Sequence, residues 1–325
     1  MPAGSQGQPG LAMIELLVAI VAVALLISIL LPPLAHQRAM AASGESQNNL
    51  RQIGAIHASY QGDNADSVAT FSWQMGQTAS TYADLKTATS DNEAAGLQAV
   101  DIIRRRSNPA FERQTNWYAF SNFSQLVLVD YLAGSAPSGI FTSPSDETLL
   151  KWQKDPADWQ ASGAPNSRSP YRSSYEMLGA AFFDKAAVAS NRVTQAQNHS
   201  TFMIPGGHDF GLKKVSEVAY PSQKAMAWDL YQREMGRVAY VLYHEARVPV
   251  LFVDGAVAVR STRDSSIGWN PASPSLTLGM TFQYQPLAWE PPALYSSGNF
   301  VYGGVRWTRD MLQGRDYDLA VTGRQ

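Results

Sequence analysis

The residues able to do chemistry are few and scattered. His36, His57, His199, His208 and His244 are the five histidines of a 325-residue chain. His208 lies in Gly206-Gly207-His208-Asp209, nine residues after His199, a setting in which a loop can hold a metal. Metal-binding histidines more often share one helix face or take a His-Glu-x-x-His order, and an EF-hand repeats oxygen ligands along a short loop. None of these patterns occurs, so a loop histidine is expected here, with no metal and no cofactor. The absence of cysteine removes a disulfide framework, a thiolate zinc site and a cysteine nucleophile together. No Gly-x-Ser-x-Gly elbow and no glycine-rich phosphate loop after a strand is present. We therefore nominate no catalytic residue and expect no enzyme. His244 and Asp254, with nine residues between them, are compatible with either a cation site or a buried hydrogen bond; the hydrogen bond is expected, because a hairpin brings in no further oxygen ligands.

One charge stands out by its position. Between Leu11 and Leu31 there are 21 residues whose only charged member is Glu15. A helix of that length spans roughly 30 Å, the hydrocarbon thickness of a bilayer. A carboxylate inside such a segment is costly unless it meets an opposite charge, so Glu15 calls for a partner. A secretory signal peptide would have a shorter apolar region and a small-residue cleavage site on its far side. A plain single-pass anchor with Glu15 near the interface is the competing reading.

The residues around this segment carry a resemblance. A polar leader ending in Gly10, a bulky apolar Leu11, Glu15 as the fifth residue after the glycine and an unbroken apolar run are similar to the class III signal of type IV prepilins and type II secretion pseudopilins. The resemblance implies cleavage between Gly10 and Leu11 by a prepilin peptidase and N-methylation of Leu11. It also implies that Glu15 pairs with the new terminal amine of a neighbouring subunit during filament assembly. Opposite charges that are costly singly in lipid become tolerable as a pair.

Further along, Pro32-Pro33 removes two helical N–H donors, so a kink at the membrane exit is expected. The helix should resume through Tyr60, where Leu50, Ile53, Ile56 and Tyr60 recur at helical spacing opposite Arg51, Gln52 and Ser59. The segment Ser46-Gln47-Asn48-Asn49-Leu50-Arg51-Gln52-Ile53-Gly54 resembles the one that follows the membrane helix in a planctomycete-type group of pilin-like proteins with a C-terminal H-X9-DG motif. Asn48-Asn49 is open to two readings, ordinary helix surface or a helix-bending or cross-subunit hydrogen bond.

The remaining chain supplies a head. Residues 62–116 are polar and read as loops and short helices. Phe123, Leu126, Val127 and Tyr131 fall on a helical stripe ended by Gly134. Gly139 to Asp146 resembles the group's Cys-Pro-x-Asp turn with Ser143 in place of the cysteine, and a turn suffices to explain Pro144 and Asp146. Residues 152–172 read as a linker and 174–183 as a first strand. Lys224 to Asp229 reads as a buried strand. The strongest local signal is His244 to Gly255: Val248, Val250 and Phe252 alternate with Leu251 and Val253, and Asp254-Gly255 then precedes Ala256-Val257-Ala258-Val259-Arg260. That pattern predicts a hairpin with a two-residue turn. His244, Asp254 and Gly255 form the H-X9-DG motif itself. Residues 261–325, rich in Gly, Pro, Trp and Tyr, read as loops held by aromatic anchors, with a sugar-binding or subunit-binding use of exposed aromatics as the alternative.

Composition agrees with a folded head rather than disorder: 45% of residues are hydrophobic and the net charge is -2. Charges are dispersed, the densest run being Arg104-Arg105-Arg106, so no basic field recruits nucleic acid and that run reads as a solvated face. The expected fold is α+β and pilin-like. Residues 1–10 are a leader, 11–33 a membrane and filament-core helix, 34–60 its amphipathic continuation, and 61–325 an α+β head containing the 244–260 hairpin on an antiparallel sheet. The expected function is that of a structural subunit of a type IV pilus-like or pseudopilus-like filament. Its partners would be other copies of the chain, the prepilin peptidase and the assembly machinery, with single-pass storage in the inner membrane before a periplasmic or extracellular life. A membrane-anchored monomer binding polysaccharide or another envelope component is the alternative.

Overall fold

The structure, a computed structural model, describes residues 9–114, 117, 119, 122–132, 136–156, 159, 169–182, 194–195, 202–203, 213–268, 281–295, 300–302 and 304–318. Helix α1, Pro9–Asp63, is 55 residues long and runs through Pro32-Pro33 without a break. Helical geometry thus continues past the prolines, as it also does through a proline kink. The two prolines leave the carbonyls of Ser28 and Ile29 without their helical donors, but long stretches of good helix formers on both sides carry the ladder across. The helix ends where Ala65 and Asp66 take positive φ, 51° and 64°. Asn64 closes it by donating to the Tyr60 carbonyl from both its backbone N–H and its Nδ2, each at 2.9 Å.

Helix α2 is Asp91–Arg106, capped by Ser90, whose Oγ accepts the Glu93 N–H at 3.1 Å. Its last-turn arginines are more than a solvated face. Arg104 pairs with Asp84 at 2.8 Å, Arg105 with Asp101 at 2.7 Å, and Arg106 with Asp130. The stripe around Leu126 forms a 3-10 helix, Ser124–Tyr131, rather than an α-helix. Its residues from Ser124 through Val129 are all buried. Helix α3, Glu147–Lys154, starts directly after the expected turn, whose last residue Asp146 is its N-cap, and ends inside the expected linker.

The strands in chain order are β1 Tyr175–Met177, β2 Thr194–Gln195, β3 Phe202–Met203, β4 Ala225–Asp229, β5 Tyr231–Gln232, β6 Ala239–Tyr240, β7 Arg247–Phe252, β8 Val257–Ser261, β9 Thr281–Gln283 and β10 Phe300–Tyr302. A four-stranded antiparallel sheet takes the order β1-β4-β7-β8, and the others pair as short two-stranded ribbons. Every residue of β4 is buried, as its apolar run predicts. The C-terminal half of α1 packs on this sheet, and the fit is close at Gly54: a Cβ added there would lie 3.0 Å from Leu251 Cδ1. Leu50, Ile53 and His57 are buried, Ile56 and Tyr60 partly so, and Arg51, Gln52 and Ser59 face solvent. The chain is thus a mixed α+β protein built from a long N-terminal apolar helix and an antiparallel sheet.

Candidate functional site

The N-terminal half of α1 touches none of the head. From Met13 to Leu34 its large apolar side chains are 44% to 72% exposed, and a window of this helix has a mean hydropathy of 3.0 with none of it buried. By length and composition it can cross a membrane once. Gly10 and Leu11 lie within its first residues, and Glu15 is exposed one turn further on. The first buried position is Ser43.

From there the helix is fastened to the head by polar as well as apolar contacts. Ser46 Oγ lies 3.0 Å from the Tyr175 hydroxyl. Asn49 Nδ2 donates to the Thr142 carbonyl at 3.2 Å and to the Tyr175 hydroxyl at 3.4 Å. The Asn48-Asn49 pair divides its roles: Asn48 is helix surface, and Asn49 joins the helix to its own head. His57 is 1% exposed. Its Nε2 accepts the Ala69 N–H at 3.0 Å while Nδ1 lies 2.6 Å from the Gln61 amide. Burial pulls this imidazole down to about 4, so it stays neutral and keeps the lone pair that Ala69 needs.

The H-X9-DG residues do not form a site together. His244 and Asp254 are both exposed and stand before and after the six residues of β7, roughly 20 Å at strand rise, so the expected buried hydrogen bond between them is not made. Asp254 instead accepts the Ala256 N–H through Oδ1 at 3.0 Å. The turn also differs from the expected two-residue form. Gly255 N–H donates to the Phe252 carbonyl at 2.9 Å and Phe252 N–H to the Ala256 carbonyl at 2.8 Å. Only Gly255 has positive φ, 86°. This is the three-residue hairpin loop, in which Val253 and Asp254 make the turn and glycine makes the bulge.

Sequence reasoning missed three buried polar clusters. Asp146 caps α3 through the Leu149 N–H at 3.2 Å and also accepts Ser174 Oγ at 2.8 Å and Arg233 Nη2 at 2.7 Å. Arg233 reaches Asp229 as well. Burial alone would raise the Asp146 carboxyl, yet the charges of Arg233 and Arg172 and its hydrogen bonds hold it below its ordinary value. Asp229, with no exposure, is pushed by burial up to about 6 against the pull of Arg233. The second cluster pins the C-terminal segment to β4: Lys224 Nζ donates to Thr308 Oγ1 and the Met311 carbonyl, each at 2.7 Å, and stands 3.4 Å from Asp316, with neither charged side chain exposed. Burial lowers the Lys224 amine and raises the Asp316 carboxyl. In the third, Arg306 bridges Glu176 and the Tyr240 hydroxyl.

Beside the first cluster opens a cleft of about 580 Å³. The start of α3, from Ser145 to Leu149, forms one wall, and Ala288 to Pro292 of the C-terminal tail form another, with Trp152, Arg172, Tyr231 and Arg233 between them. Of this lining, the sequence marked only Asp146, as a turn former, and the tail residues, as possible exposed aromatics. Compared with family models, with curated proteins and with solved structures, the chain matches none of them. Among the described residues no group of three or more His, Cys, Asp or Glu is arranged to hold a metal. His199, His208 and the glycines before His208 lie outside the described residues, as do residues 1–8, Gly134 and Trp269.

Proposed function

We propose that this chain is the subunit of a type IV pilus-like or type II secretion pseudopilus-like filament. It is stored in the inner membrane by α1 and assembled through the same helix after cleavage between Gly10 and Leu11 and methylation of Leu11. The observation that carries this reading is the division of one continuous helix. Its first half exposes apolar side chains all round, and its second half is cemented into the head. An anchored monomer needs only a tether, and a flexible linker serves. A continuous helix of 55 residues, roughly 80 Å at helical rise, that joins the head directly to its anchor suits a subunit whose apolar half exchanges lipid for identical helices. Packing and paired polar groups, rather than any hydrophobic gain, drive such an exchange. Glu15 then has a role, because its carboxylate neutralises the amine of the next subunit and sets the stagger between copies.

Mass spectrometry of the N-terminus of the protein recovered from its native cells tests this directly. A chain beginning at N-methylated Leu11 is expected. A chain that still carries residues 1–10 in cells with an active prepilin peptidase would overturn the reading.

A further inference from the structure

The cleft between α3 and the C-terminal tail contains donors that the protein does not use. Arg172 is only 6% exposed, and its guanidinium makes no hydrogen bond among the described residues. Its Nε is shielded and has no acceptor. The indole N–H of Trp289, in the opposite wall, is likewise buried without an acceptor. Leaving buried donors unpaired costs free energy that a ligand can recover. Arg172 reaches Asp146 through charge alone, without a hydrogen bond, whereas Arg233 and Glu290 are bonded. Arg233 is occupied by Asp146 and Asp229, and Glu290 accepts the Tyr231 hydroxyl at 3.3 Å and the Leu287 N–H at 3.1 Å. A cleft of similar size between α1 and α2, about 590 Å³, lacks this property. There Arg105 is taken by Asp101, Asn64 by the Tyr131 hydroxyl, and Gln98 by two backbone N–H groups.

What the first cleft offers is a buried cation, a second unpaired donor, a half-buried indole flanked by Pro291 and Pro292, and an exposed carboxylate, Glu147, at the rim. We propose that this cleft binds a carboxylated saccharide, whose carboxylate is taken by Arg172 and whose ring face lies on Trp289. The planar guanidinium fork matches a carboxylate, and the C–H face of a pyranose is apolar enough to cover an indole. Glu147 is placed to accept sugar hydroxyls at the mouth. The net charge of the five charged groups in the lining is negative, two arginines against Asp146, Glu147 and Glu290. A simple anion without a ring to stack is therefore not favoured, and neither is a polyanion that presents charge along its whole length. A short acidic sugar unit, such as a uronic acid at the end or edge of an envelope or host polysaccharide, fits best. The proposal concerns the head alone and is independent of whether α1 assembles into filaments.

The test uses the full chain in detergent micelles and three probes: a neutral oligosaccharide capped by one terminal glucuronic acid, the methyl ester of that acid, and the same sugar with glucose in its place. Titration calorimetry should show binding of the acid that is on the order of ten- to hundredfold tighter than of the ester or the neutral sugar, the size of a charge-assisted hydrogen bond. Arg172→Gln should remove that discrimination, and Trp289→Ala should weaken all three probes. Retained near-ultraviolet circular dichroism would show that each variant is folded. Equal affinity for the acid and the ester on the wild-type chain would overturn the proposal without reference to any variant. So would the absence of binding to all three at millimolar concentration, or unchanged discrimination in folded Arg172→Gln.

Discussion

His57 shows how one buried side chain ties this molecule together. Its neutral ring joins the C-terminal half of α1 to the start of the head through Ala69. Unfolding restores an ordinary histidine of pKa near 6.5 in place of one near 4. Between those values the unfolded chain binds the extra proton, so this group's stability is full above the unfolded pKa and is lost as pH falls through the window, on the order of 3 kcal/mol in all. Asp229 works the other way. Its folded pKa near 6 exceeds the ordinary 3.8, so what it contributes is present at low pH and lost as pH rises towards neutrality. The two opposing titrations flatten the overall pH curve, and a variant is needed to separate them. In His57→Gln the loss of stability from pH 6.5 to 4.5 should be smaller than in wild type by at least about 1 kcal/mol, measured by denaturant unfolding in micelles; parallel curves would show that His57 is not buried neutral.

Gly255 makes a second residue-scale prediction. Nothing lies within 4 Å of a Cβ built there, but φ is 86°, so the penalty for a side chain is conformational alone. Gly255→Val should cost about 1–3 kcal/mol, and Gly255→Asn much less, because asparagine tolerates the left-handed region. Thermal unfolding of the two variants side by side checks the order, and equal melting temperatures would show that the hairpin does not need the glycine bulge.

Among the elements, α1 and the hairpin were the most legible in the sequence, because both are written in local patterns. An apolar run of bilayer length and an alternation around Asp254-Gly255 each fit within one window of the chain. What the local pattern did not fix was the turn type, which depends on the bond from the Gly255 N–H to the Phe252 carbonyl. The same holds for the 3-10 form of Ser124–Tyr131, whose all-round burial is decided by neighbours. The proline pair removes two N–H donors without ending the helix, because helix formers lie on both sides. At this scale the contact between Gly54 and Leu251 decides how closely α1 lies on β7. A larger side chain must push the two elements apart, so Gly54→Val should lose about 1–3 kcal/mol of stability through overpacking. The compensating pair Gly54→Val with Leu251→Ala should recover part of it, and an additive double variant would mean that the two residues do not share a contact.

Across the whole molecule, the cleft and the three buried clusters were illegible because their members come from distant parts of the chain. Arg172, Asp146, Arg233 and Trp289 meet only once the sheet, α3 and the tail are in place. Lys224 and Asp316, likewise, lie 92 positions apart, and nothing in either neighbourhood announces the other. The single large-scale feature that the sequence did announce is the segregation of an apolar helix from a well-packed head, with one carboxylate at its start. That carboxylate carries the central claim. In cells making comparable membrane pools of wild type and Glu15→Leu, the sheared, sedimentable fraction should contain abundant wild-type chain beginning at Leu11. The variant should be inserted and cleaved but should remain in the membrane, since each attempted junction would leave an unpaired amine in an apolar bundle. Equal sedimentable yields of the two proteins, or a wild type that never leaves the membrane fraction, would contradict the account.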